Sequence, residues 1–199
     1  PGGPSGAEER RGAGGAPGGR RGGEVMAVGF GAGVGGSLGV TCAFQLGFFL
    51  AALSLRTDAF TDFAGTTNFL LLFLLSYFLG AAGAPGACSR TAAVTGLAGL
   101  WALRLGGFLL ARILIWGKDN RFDKMRENPA MWAGFWILQA LWVWGTSLPV
   151  VVLNLRLEPS TCQPLWALDW VAWALMLGAV LLEAVADQQK LRFKRRGGN

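Results

Sequence analysis

Histidine is absent from all 199 residues of this chain. That removes imidazole general bases, serine–histidine triads and most zinc sites together. The three cysteines, Cys42, Cys88 and Cys162, are scattered without a CxxC pair. Neither a thiolate metal cluster nor a dithiol redox motif is supported, and no metal is expected. Charge is scarce as well: 15% of residues are charged, against 52% hydrophobic. A soluble domain of this length would need more polar surface.

What remains is apolar sequence in long runs. Windows of about 18 or more apolar residues, enough to cross a ~30 Å hydrocarbon layer, recur along the chain. They fall near 25–55, 67–84, 91–116, 130–155 and 165–183. The fold class is all-α, a polytopic transmembrane helix bundle with about five spans. Residues 1–24 form a Gly/Arg-rich tail with too little apolar surface to offset the entropy of ordering, so disorder is expected there. The transmembrane domain covers 25–196 and a short end covers 197–199. The chain reads as a fragment, starting at Pro1 without methionine and stopping at Asn199 just after a basic run.

The formal charge of +6 and pI near 9.9 do not indicate nucleic acid. Lys118, Arg121, Lys124 and Arg126 fill one loop, and Lys190, Arg192, Lys194, Arg195 and Arg196 crowd the C-terminal end. In a five-span chain these two segments face the same side, which the positive-inside rule makes cytosolic. The opposite loops carry Arg90 and Arg156, together with Cys88 and Cys162. Free thiols are the default for that pair, with a disulfide as the alternative. Endoplasmic reticulum is the default membrane, with a plastid or other membrane open. The lipid bilayer is the expected partner, and the oligomeric state is open.

Gly31-Ala-Gly33-Val-Gly35-Gly36 matches the GxGxxG dinucleotide fingerprint, but it lies inside an apolar run without the strand–turn–helix setting that motif needs. Close helix packing through Gly29xxxGly33, Gly31xxxGly35 and Gly35xxxGly39 is the expectation instead. Asn128 and Pro129 predict the start of the fourth helix, Pro164 the start of the fifth, and Pro149 a kink within the fourth.

Arginine at mid-membrane depth costs from about 3 to above 10 kcal/mol unless it is accommodated. Arg104 and Arg112 in the third span therefore need partners. Counted from the cytosolic ends, Arg104 is depth-matched to Gln139, and Arg112 to Glu183. Arg104, Gln139 and Trp142 are candidates for the wall of a substrate cavity, with core packing the competing role for Trp142. In the fifth helix, Glu183, Asp187, Lys190 and Lys194 follow at helical spacing, acids first and bases last. Such an array suits a nucleotide, with carboxylates on ribose or nicotinamide groups and cations on phosphates. It equally suits an interfacial ladder of salt bridges. Lys118 and Arg121 would add a basic rim above a cofactor cavity.

The stretches WALRLGGFLLARI, GKDNRFDKMRENP, FWILQALWVWGTSLPVVVLN and GAVLLEAVADQQKLRFK resemble a membrane branch of the steroid 5α-reductase family. The resemblance runs from about Thr61 to Asn199. It implies a helix bundle with a cytosol-facing cavity that binds NADPH and passes hydride to a double bond of a lipid-like substrate. It also implies that Glu183 and Asp187 match a polar pair contacting the nicotinamide half of the cofactor, and that Lys194 falls where a phosphate-contacting cation belongs. The family's subsequent SRHPNYxGE-like segment has no counterpart before Asn199. The Tyr–Glu pair that polarises a steroid ketone has none either, since the only tyrosine is Tyr77. This fragment alone is expected to be inactive, and its catalytic residues are open. Two other readings stand beside the reductase: a membrane methyltransferase using S-adenosylmethionine, and a non-catalytic membrane scaffold or accessory subunit.

Overall fold

The computed structural model describes residues 18–81, 88–116, 122, 128–156 and 162–197. Among these described residues are five α-helices: α1 (Gly18–Leu55), α2 (Ala59–Ala81), α3 (Ser89–Trp116), α4 (Pro129–Arg156) and α5 (Ala167–Arg195). Each contains a segment of 21 to 29 residues apolar enough to cross a membrane. At 1.5 Å per residue even the shortest spans about 30 Å. The chain is an all-helical, multi-pass membrane-type bundle.

The observed bounds shift two of the expected spans. α1 already begins at Gly18, inside the tail expected to be disordered; residues 1–17 lie outside the described residues. α2 begins at Ala59, eight residues before the hydropathic window near 67. Its first turns carry Thr61, Asp62, Thr66 and Asn68, which depress the mean hydropathy. Thr61, Thr66 and Asn68 are buried in the bundle rather than facing lipid.

Asn128 caps α4 as expected, its Oδ1 accepting from the backbone N–H groups of Ala130 and Met131 at 3.0 and 3.3 Å. Pro149 lies inside a helix that remains unbroken. α5 starts differently from the expectation on Pro164. Trp166 precedes its first turn, and Asp169 accepts from the Trp166 N–H at 2.8 Å. An acceptor at the third helical position satisfies a donor that proline cannot.

α2 is the central helix, packed against α1, α3 and α4. Phe69, Leu72 and Phe73 of α2 meet Ala98 and Ala102 of α3 and Val143 of α4 in the main core. A second cluster joins Ala52, Ala64, Trp132 and Trp136 with the buried Phe122, which lies between α3 and α4 in the sequence. Phe122 rests edge-on against Trp132 and Phe135.

Lipid gives helices no hydrophobic reason to associate, so small residues and polar bonds carry the contacts. Gly80 shows this most sharply: a Cβ there would sit 2.0 Å from the Asn154 carbonyl oxygen. Asn154, fully buried, donates through Nδ2 to Ser76 of α2 at 3.1 Å and Thr95 of α3 at 3.0 Å. The expected glycine packing in α1 holds only at Gly33, whose Cβ would meet Leu155 at 2.8 Å. Gly29, Gly31, Gly35 and Gly39 face open space. The spacing predicts a face but cannot say whether a neighbour lies against it. The GxGxxG run lies within continuous helix, which rules out the phosphate-cradling turn.

Candidate functional site

Two of the sequence-predicted groups assemble along α3 and α5. At about 100° per residue, Arg90, Trp101 and Arg104 fall within roughly 60° on one face of α3. Asp169, Glu183 and Asp187 fall within about 40° on one face of α5. The two stripes meet as a polar seam. At one end Arg90 holds Asp169 in a two-point bond, Nε to Oδ1 at 2.9 Å and Nη2 to Oδ2 at 2.7 Å. Arg90 also donates to the Pro164 carbonyl.

Further along, Arg104 Nη1 donates to Asp187 Oδ2 at 2.7 Å. Its Nη2 lies 2.7 Å from Glu183 Oε1 but off the direction of a hydrogen bond, so that contact is Coulombic. Trp101 Nε1 donates to Glu183 Oε2 at 3.0 Å. Arg104 Nε is buried without a partner. One cation thus faces two carboxylates, which leaves the cluster with an excess of acceptors. Glu183 retains 40% of its side-chain exposure and Asp187 22%.

These partners correct both depth-matched pairs. Arg104 joins α5, not Gln139, and Arg112 pairs with Asp62 of α2, not with Glu183. Depth supplies one coordinate; the direction around the helix supplies the other. Arg104 and Arg112 are eight residues apart and point about 80° away from each other, so they face different neighbours.

Among the described residues the seam is the main attachment of α5: its chief neighbour is α3, and Leu191 is its one buried residue. Leu175, Leu181 and Leu182 each remain about two-thirds exposed or more. The other attachment precedes the helix: Cys88 and Cys162 form a disulfide with Cα atoms 5.7 Å apart. This overturns the expectation of free thiols. The two loops were placed on one side by sequence, but their lateral proximity required the packing of α3 on α5.

Past the seam, Lys190 and Lys194 continue toward the end of α5, both exposed. Lys118 and Arg121 lie outside the described residues.

Gln139 belongs to a second site. It donates from Nε2 to the Thr61 carbonyl at 2.9 Å and to Gln45 Oε1 at 3.2 Å. Gln45 in turn donates to Asn68 Oδ1 at 3.2 Å, which links α1, α2 and α4 by side-chain amides. Beside this relay lies a cavity of about 170 Å³ between α2, α3 and α4. Thr61, Asp62, Thr66 and Gln139 provide its polar wall, and Phe69, Leu105, Leu109 and Trp142 its apolar wall. Trp142 therefore lines a cavity, packing edge-on against Phe69. Trp144 bonds instead to Ser37 of α1. Arg104 is not part of this wall. Sequence reasoning missed Asp62, Thr61 and Thr66; their unusual polarity at the head of an apolar helix was the available signal.

Comparison with known proteins gives one family. No curated protein matches, and no solved structure matches. The family model described as "Protein of unknown function (DUF1295)" matches residues 48–199, a stretch that takes in all of the seam and all of the cavity lining. That family is related to steroid 5-alpha reductase-like membrane proteins. With about three-quarters of its length matched, the chain belongs to the DUF1295 family.

Proposed function

We propose that this chain acts in a membrane-embedded, NADPH-dependent reduction that saturates a double bond of a lipid-like substrate, sterol, fatty-acyl or isoprenoid. The observation that carries this reading is the single face of α5 on which Glu183, Asp187, Lys190 and Lys194 succeed one another. The residues fit such a cofactor. Glu183 and Asp187 offer more acceptor positions than Arg104 and Trp101 occupy, suited to ribose hydroxyls and a carboxamide N–H₂. Lys190 and Lys194, both exposed, suit phosphate oxygens as point charges. The chemistry supplied there is a hydride, with a proton completing the reduction at the adjacent carbon.

The protein's own contribution is positional. Arg104 fixes the rotation of α5 so that both carboxylates keep one orientation, and it offsets part of their charge at membrane depth. The disulfide end supports a sidedness as well. Disulfides persist in oxidising compartments, so Cys88–Cys162 belongs on the lumenal side and the lysine end of α5 on the cytosolic side, where NADPH is available. Endoplasmic reticulum suits both.

One observation favours a second, non-catalytic reading. Arg104 engages both carboxylates at once, as a purely structural clamp would. The two readings separate on Asp187→Asn and Lys194→Gln. Asp187→Asn keeps an acceptor for Arg104, so a clamp tolerates it. The reductase reading predicts that NADPH affinity, read by nucleotide fluorescence with protein in nanodiscs, falls about tenfold or more in each variant. Unchanged affinity in both variants leaves the clamp.

A further inference from the structure

The cavity beside Gln139 is the second site, and the hydrogen-bond inventory of its polar wall is one-sided. Both amide protons of Gln139 are committed, one to the Thr61 carbonyl and one to Gln45. The amide orientation follows from chemistry, because the Thr61 carbonyl can only accept. What Gln139 has left for the cavity is its carbonyl oxygen. Thr61 donates its hydroxyl proton to the Asp58 carbonyl at 2.7 Å. Thr66 donates its own to the Asp62 carbonyl at 3.0 Å. Each threonine keeps only lone pairs. Asp62, paired with Arg112, is an acceptor whose charge is already offset. Four polar side chains therefore present acceptors, and nothing in the wall calls for a cation.

We infer that this cavity binds the hydroxyl end of a neutral, otherwise apolar molecule, with the hydroxyl donating to Gln139 Oε1 and the adjoining ring or branched chain against Phe69, Leu105 and Trp142. A ketone or an ester would leave the acceptors of the wall unpaired. Among the lining residues, Trp142 is the one besides Gln139 whose side chain carries an N–H. An alcohol uses that group as well, since its oxygen accepts while its proton donates. The volume, about 170 Å³, is comparable with cavities of ~150 Å³ that hold a single benzene. It therefore takes one ring or a short branched segment. Gly65 and Gly106 flank the site, and a Cβ there would stand 3.4 Å from Gln139 Nε2 and 3.2 Å from Thr66 Oγ1, so larger residues would press on the polar wall. In a reductase, this site names the substrate end that hydride does not touch; binding itself does not depend on that reading.

The test uses cyclohexanol and cyclohexanone, matched in size, with the protein in nanodiscs and no nucleotide present. Ligand-detected NMR reads saturable binding above partition into the lipid. Cyclohexanol binds about tenfold more tightly than cyclohexanone, the value of one hydrogen bond to an otherwise unpaired acceptor. Leu105→Trp fills the apolar wall without removing a bond and abolishes the signal. Leu109→Trp does the same from the neighbouring turn, should the first variant fold poorly. Trp142→Phe keeps the preference for the alcohol. Equal binding of the two probes, a preference for the ketone, or alcohol binding that survives both filled variants overturns the inference. Because NADPH is absent, failure here leaves the cofactor reading standing, and failure of NADPH binding leaves this one.

Discussion

Replacing Arg104 by methionine removes the cation from the seam and leaves two carboxylates, one turn apart, against an apolar stretch of α3. An exposed ion pair contributes about 0–1 kcal/mol, whereas removing one partner of a buried pair costs about 3–5 kcal/mol. Arg104 is 17% exposed and Asp187 22%, so most of each side chain is withdrawn from solvent and the low end of the buried cost applies; Glu183 at 40% is screened and adds less. A loss of about 3 kcal/mol follows, roughly a hundredfold in an opening equilibrium. It should be local. Arg90–Asp169 and the disulfide hold the first half of α5, while Arg104 and Trp101, with the buried Leu191, hold the second. Hydrogen exchange of amides from Glu183 to Arg195, followed by mass spectrometry in nanodiscs, should accelerate about a hundredfold at conserved protection of α2. Adding Glu183→Gln and Asp187→Asn to Arg104→Met should restore most of the protection, because the unpaired charges are gone. Unchanged exchange in the single variant, or a triple variant as unprotected as the single, refutes the reasoning.

Further outcomes follow from the packing. Gly80→Ala places a Cβ 2.0 Å from the Asn154 carbonyl and should lower the unfolding midpoint of the purified protein, whereas Gly35→Ala, which faces open space, should leave it within error. Asn154→Ala strips partners from Ser76 and Thr95 and should cost about 1–2 kcal/mol in a denaturation titration, at the modest value of interhelical bonds in membranes. Peptide mapping without reductant should recover Cys88 joined to Cys162, with Cys42 alkylated as a free thiol.

How much of this was legible in the sequence depends on which coordinate is asked for. Existence and number of helices follow from apolar length, and Asn128 announces the start of α4 because its side chain caps locally. Where the interior is polar, hydropathy misleads: Thr61, Asp62 and Asn68 pushed the apparent start of α2 inward although they are helical and lie within the bundle. Arg104 could be recognised as needing a partner from its cost alone. Its partner could not be identified, because depth along a helix is countable and direction toward a neighbour is not. The same gap misassigned Arg112 and obscured the disulfide. Gln139 was noticed as a buried polar residue, yet its chemistry emerged only once both of its protons were accounted for.

The central claim concerns what the α5 face binds, and it is tested most directly by titrating the same nanodisc-embedded protein with NADPH and, separately, with S-adenosylmethionine. The account predicts saturable NADPH binding that weakens with added salt, as phosphate contacts from Lys190 and Lys194 require, and no S-adenosylmethionine binding. Saturable S-adenosylmethionine binding with no response to NADPH would contradict it.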